Sequence, residues 1–264
     1  MRNESTPGVS TDQPLRKLHL LYHEVRLCRS EYSYAIEREQ FERHVDLFVQ
    51  LRKGDGLHPE VTFDDGHISN FELALPVLQS RGLIARFFIT AGWTGMKPNY
   101  MGWSELRSLH ASGQLVGAHG WSHTLLTHCA KKELDKELGA ARMLLEDKLG
   151  AAITTMSLPG GRYNQRVLTA CREAGYSRIY SSEPRAEQML GSYMVGRLNI
   201  RGDMTEEWVQ SLFQPGNRVL SGLERQYRVK AATKALLGDR LYEKFWAVLN
   251  RKEAATSDVG EDAV

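Results

Sequence analysis

Seven short apolar or β-branched runs punctuate the chain: LHLLYHEV (18–25), EVTF (60–63), ARFFIT (85–90), QLVGAH (114–119), ITTMSL (153–158), SRIYSS (177–182) and YMVGRLNI (193–200). Helical patterns fall between most of them. Leu134, Leu138, Ala141, Leu145 and Leu149 recur at helical spacing, as do Phe41, Val45, Phe48 and Leu51. Gly54, Gly82, Gly113, Gly150 and Gly175 each close such a pattern. This alternation predicts a parallel sheet of βα units, either doubly wound or a barrel short of one unit. A chain of 264 residues, 42% apolar and 25% charged, can bury the core such a sheet needs, in one large domain or two small ones.

The same composition excludes several classes. A net charge of +2 gives no field for nucleic acid, so none is expected as a partner. Cys28, Cys129 and Cys171 have no CxxC spacing, which excludes a thiolate zinc site and fits a reducing compartment. The N-terminus is polar and no run of 18 apolar residues occurs, so a cytoplasmic protein without a membrane span is expected.

In parallel α/β folds the chemistry gathers at the C-terminal ends of strands. Here the second run ends in Asp64 and Asp65, the fourth in His119 with His123 four residues on, and the fifth in PGGRYN (159–164). His23 lies near the end of the first. An Asp-Gly turn alone is commonplace, and so is an HxxxH pair. On neighbouring loops of one face they become a candidate site. His119 and His123 can converge if their segment turns helically, and with Asp65 they make a three-ligand set suited to Zn, Co, Ni or Fe(II). A cation there would tolerate the adjacent carboxylates and hold Asp64 ionised as a base.

TFDDG (62–66) followed about fifty residues later by HGWSH (119–123) resembles the polysaccharide deacetylase family, carbohydrate esterase family 4. The likeness extends over about residues 17 to 200. It implies a distorted seven-stranded (β/α) barrel and one divalent cation, Zn first and Co or Ni next, held by Asp65, His119 and His123. It implies Asp64 as the base. Two departures stand out. The family's third motif carries an arginine that orients the base and a backbone N–H that helps form the oxyanion hole. This chain has SLPGGRYN, with Ser157 at the arginine's place and Gly160 at the donor's. Arg162 or Arg197 could replace the arginine, and sequence does not choose between them. The family's late histidine acid is also absent, since no histidine follows His128. In the permuted branch resembling poly-N-acetylglucosamine deacetylases that histidine comes first, in a YH pair, which makes His23 the candidate.

The implied reaction is hydrolysis of the N-acetyl amide of a sugar in a polysaccharide, oligosaccharide or lipid-linked glycan. Asp64 takes a proton from water, Gly160 N–H supports the oxyanion and His23 protonates the leaving amine. Arg162, Tyr163, Arg197 and Trp121 are the expected substrate contacts. The alternatives are an O-deacetylase or deformylase of a related glycan, and a carbohydrate-binding domain without turnover. The expected organisation is a flexible segment (1–16), the barrel (17–215), a basic helical extension (216–252) and a disordered tail (253–264). The extension carries nine Lys/Arg against three Asp/Glu with aromatics interleaved. A solvated helical pair is the simpler reading, and contact with an anionic membrane face the alternative. Oligomeric state is not legible.

Overall fold

In the structure, a computed structural model describing residues 16–187, 191–230 and 232, the strand runs join side by side and parallel. They are β1 (Lys17–Tyr22), β2 (Glu24–Arg26), β3 (Ala35–Glu37), β4 (His58–Phe63), β5 (Arg86–Ile89), β6 (Leu115–Ala118), β7 (Thr155–Ser157), β8 (Arg178–Tyr180), β9 (Met194–Val195) and β10 (Arg197–Asn199). The main sheet has the order β10-β1-β4-β5-β6-β7-β8-β9, and β2 and β3 form a separate two-stranded ribbon.

The two ends of that order are one stretch of chain. Only Gly196 separates β9 from β10. The stretch pairs with β8 through Val195, opposite Tyr180, and with β1 through Arg197, opposite His19. The sheet therefore curls back on itself, and its eight strand segments occupy seven positions around a barrel. Gly196 is required at the switch, because a Cβ there would lie 2.5 Å from the Glu183 carbonyl oxygen.

Helices α1 (Arg38–Leu51), α2 (Leu75–Ser80), α3 (Trp103–Ala111), α4 (Lys131–Leu134), α5 (Ala141–Leu149), α6 (Gln165–Glu173) and α7 (Glu206–Ser211) connect or follow the strands. The expected stripes are buried: Phe41, Val45 and Phe48 of α1 are each 0% exposed, and Leu134, Leu138, Ala141 and Leu145 face inward in the same way. Leu51 and Leu149, at the ends of those stripes, are only half-buried. Asn164 starts α6 by accepting the Val167 N–H at 3.0 Å.

Two features depart from the sequence reading. The first run breaks at His23, so that 24–26 leaves the barrel for the β2–β3 ribbon. The helix expected to carry Leu134 to Leu149 in one piece contains a π-helical turn, Asp135–Ala140, and a second π turn, Asn70–Ala74, precedes α2. Both follow site loops, and both place a polar side chain inward.

The chain divides into two compact units, 1–219 and 220–264. Of the second unit, residues 220–230 are helical. Residues 231 and 233–252 of the expected basic extension lie outside the described residues, as do the tail (253–264) and residues 1–15 of the N-terminal segment. Among the described residues no helix is long and apolar enough to cross a membrane.

Candidate active site

All the barrel strands are parallel, so the residues that follow them meet at one rim. Asp64 and Asp65 follow β4, His119 follows β6, Leu158 and Pro159 follow β7, and His23 follows β1. The backbone then aims them. Asp65 adopts φ 73° and Gly66 φ 84°, a left-handed turn that Asp tolerates better than most side chains. The expected helical turn between His119 and His123 does not form. The chain instead reverses through left-handed Gly120 (φ 79°) and His123 (φ 61°), and this brings the rings together with centroids 4.9 Å apart. A left-handed histidine is uncommon and costs of order 1–3 kcal/mol, so the surroundings must hold it.

Glu137 supplies that hold. From the π turn it accepts the Trp121 N–H at 2.8 Å, the Ser122 N–H at 3.0 Å and the Ser122 hydroxyl at 2.6 Å. It is 5% exposed. Asn70, in the other π turn, donates to the His23 carbonyl at 2.8 Å. Sequence reasoning passed over both residues, although an acid beside the Leu134–Leu138–Ala141 stripe was a signal that it faced inward.

Asp65 Oδ1 lies 3.3 Å from His119 Nε2 and 3.3 Å from His123 Nε2. It is buried and has no hydrogen-bond partner. His119 Nδ1 lies 2.8 Å from the Ser157 carbonyl, which can only accept; the ring therefore donates from Nδ1 and leaves the Nε2 lone pair free. One ligand atom from each of Asp65, His119 and His123 falls within 4.8 Å of the others. An orphaned carboxylate oxygen between two imidazole nitrogens fits a cation, and the N/N/O donor set fits Zn, Co or Ni.

The electrostatics agree. Burial alone would lower the His119 pKa, but Asp64 and Asp65 outweigh it and raise it above the ordinary histidine value. The pocket thus favours a positive charge at that position. His123 is lowered by burial and by His119. His23 is lowered by burial and partly offset by Asp64 and Asp65, which puts it in the same cluster. Its Nδ1 is buried without a hydrogen-bond partner, and its ring lies 5.0 Å from that of Tyr34.

Behind Asp65, Asp64 is gripped. Arg197 donates from Nη1 to Oδ1 at 2.7 Å and from Nη2 to Oδ2 at 2.8 Å, a bidentate pair. Ser157 donates its hydroxyl to Asp64 Oδ2 at 2.9 Å and accepts from Arg197 Nη2 at 2.7 Å. Burial would raise the Asp64 pKa, but Arg197 and then His119 hold it well below the usual carboxylate range. A guanidinium from β10 thus stands against Asp64, and Ser157 bridges the two. This corrects the reading of Arg197 as a substrate contact, since the residue is 0% exposed and lies beneath the site.

The other expected contacts lie on the rim loops. Tyr163 is 39% exposed. Arg162 and Trp121 are half-buried, and Gly160 is exposed in a left-handed conformation (φ 63°). Trp93 faces His123 with ring centroids 5.3 Å apart.

Residues 58–179 match the polysaccharide deacetylase family profile. The chain is 23% identical over 221 residues to the YxkH protein of Bacillus subtilis (strain 168), spanning 77% of this chain and 78% of that protein. IcaB from Ammonifex degensii shares the fold with a TM-score of 0.64 at 24% identity, over 80% of this chain and 98% of its own. The Streptococcus pyogenes deacetylase PplD, solved in complex with acetate, superposes with a TM-score of 0.68 at 17% identity, over 76% and 100%. The matched stretch carries both aspartates and both histidines of the rim, while the barrel that completes it is the one those structures share. In that stretch and in its fold, the chain thus resembles the polysaccharide deacetylase family, carbohydrate esterase family 4.

Proposed function

We propose that the protein is a metal-dependent hydrolase that removes the acetyl group from an N-acetylated sugar of a glycan, releasing acetate and the free amine. The observation that carries this reading is the orphaned Asp65 Oδ1 between His119 and His123, next to a carboxylate that Arg197 keeps ionised. Asp65, His119 and His123 would hold the cation, Zn first, with Co and Ni as alternatives. When bound, such a cation polarises the carbonyl and makes a nearby water more acidic.

The remaining chemistry belongs to side chains and backbone. Asp64 accepts a proton from the attacking water. Its grip by Arg197 and Ser157 fixes both the charge and the orientation of its oxygens. The Gly160 N–H is assigned to the developing oxyanion, a role that needs no side chain. As the C–N bond breaks, the amine leaves with a proton assigned to His23, which lies beside Asp64 and Asp65 in the same cluster. Arg162, Tyr163 and Trp121 are assigned to the sugar. The guanidinium that β10 delivers to Asp64 supports turnover over the alternative of a carbohydrate-binding module without it.

Acetate release from a panel of N-acetylated oligosaccharides tests the proposal. Wild-type protein should release acetate, lose activity on chelation and recover it with Zn. Asp64→Asn should keep its metal and lose turnover by about two to four orders of magnitude, the usual range for a general base. Turnover by Asp64→Asn near the wild-type rate would remove Asp64 from the base role.

A further inference from the structure

The opposite end of the barrel is also charged, with the reverse sign. A cavity of about 250 Å³ opens at the N-terminal ends of the strands, lined by Lys17, Arg52, Arg86 and Arg178 with Glu60 and His19. Its carboxylates are already taken. Glu60 is shared by Lys17 at 2.7 Å and Arg52 at 3.8 Å. Glu187, beside the cavity, accepts from Arg178 at 2.7 Å and faces His19 Nε2 at 2.9 Å. Arg86 has no carboxylate partner among the described residues. It donates to the Thr155 hydroxyl at 3.2 Å and rests its guanidinium 5.8 Å from the centre of the Tyr180 ring. Arg178 lies 5.6 Å from the same ring, and its Nε is buried and bonds to nothing.

Burial keeps His19 below its ordinary pKa, so it adds no positive charge near neutral pH. Four cations then face two carboxylates, an excess of two positive charges in a half-enclosed space. Like charges gathered in a cavity repel unless an anion joins them, and guanidinium forks match the oxygens of a phosphoryl group. We propose that this basal cavity binds a small phosphate dianion, free or as a phosphomonoester, with Arg86 and Arg178 as its principal donors. A dianion matches the excess charge, and Arg86 has no carboxylate of its own to neutralise it among the described residues.

Titration calorimetry with inorganic phosphate at constant ionic strength tests this, alongside thermal unfolding. Wild-type protein should bind one phosphate per chain and melt at a higher temperature with phosphate than with chloride. Arg86→Gln should weaken binding at least tenfold. In phosphate-free buffer it should melt no lower than wild type, because the deleted charge had no carboxylate partner. His119→Ala should bind phosphate as wild type does, which separates this cavity from the rim. Glycerol phosphate in place of phosphate distinguishes the sources: tighter binding assigns a phosphoryl group on a larger molecule, weaker binding assigns free phosphate. Equal response to phosphate and chloride, undiminished binding in Arg86→Gln, or loss of binding in His119→Ala would each overturn the proposal.

Discussion

Each end of the barrel holds a buried histidine beside carboxylate, and the two pairs differ in what they leave unfinished. At the base, His19 Nε2 lies 2.9 Å from Glu187 Oε2, while Arg178 satisfies the other oxygen. That pair is closed, and burial leaves His19 below its ordinary pKa. At the rim, His119 Nε2 lies 3.3 Å from Asp65 and 3.7 Å from Asp64, and Asp65 Oδ1 has no hydrogen bond at all. Although it is just as buried, His119 is pushed above its ordinary value. A cluster of titratable groups is therefore not in itself a site. An unsatisfied ligand atom on which several donors converge marks one.

The comparison breaks most sharply on metal content. His119→Ala or His123→Ala should abolish stoichiometric metal in the purified protein, whereas His19→Gln should retain it, as read by elemental analysis. Metal kept in both rim variants would mean that the open cluster holds no cation.

His23 sharpens the rim side. His23→Ala should leave metal and fold intact and lower turnover on an N-acetyl substrate by about two to four orders of magnitude. The loss should shrink on an activated ester, whose leaving group departs without needing a proton. Equal losses on the two substrates would make His23 a packing residue.

Arg197 tests whether the rim is held from below. Removing one member of a buried ion pair costs about 3–5 kcal/mol, so Arg197→Met should unfold at lower denaturant than wild type. The Asp64 pKa should rise without the guanidinium, and the acid limb of the pH–rate profile should move to higher pH with it. Asp64→Asn added to Arg197→Met should cost less than the sum of the two changes, because the buried charge left behind is then removed. A strictly additive double variant would deny the coupling.

A third buried histidine completes the series. His44 is 0% exposed, approaches the Tyr22 hydroxyl at 3.1 Å, and has no carboxylate acting on it. Burial lowers it from 6.5 to about 4. The unfolded ring takes its proton near pH 6.5 and the folded ring only near 4, so this contribution to stability is full above pH 6.5 and falls as the pH drops toward 4. The loss should reach about 3 kcal/mol. Urea midpoints across that range should flatten in His44→Phe relative to wild type, and an unchanged slope would assign the acid sensitivity elsewhere.

The sequence by itself determined the strand runs, the two main apolar helix stripes and the rim residues Asp64, Asp65, His119 and His123. These are local signals: a strand's length, a 3.6-residue period, a short motif at a strand end. Adjacency of β1 and β10 was left to the tertiary structure, because a run that switches partners at Gly196 reads as one ordinary strand. Arg197 and His23 lie outside the matched stretch of 58–179, and only barrel closure brings Arg197 within 2.7 Å of Asp64. The π turns that carry Glu137 and Asn70 have no sequence period of their own. The left-handed His123 could not be read either, because Glu137 holds that loop from fourteen residues farther along the chain. Local chemistry sets which groups can act, and long-range contacts decide which of them are held unsatisfied and ready to act.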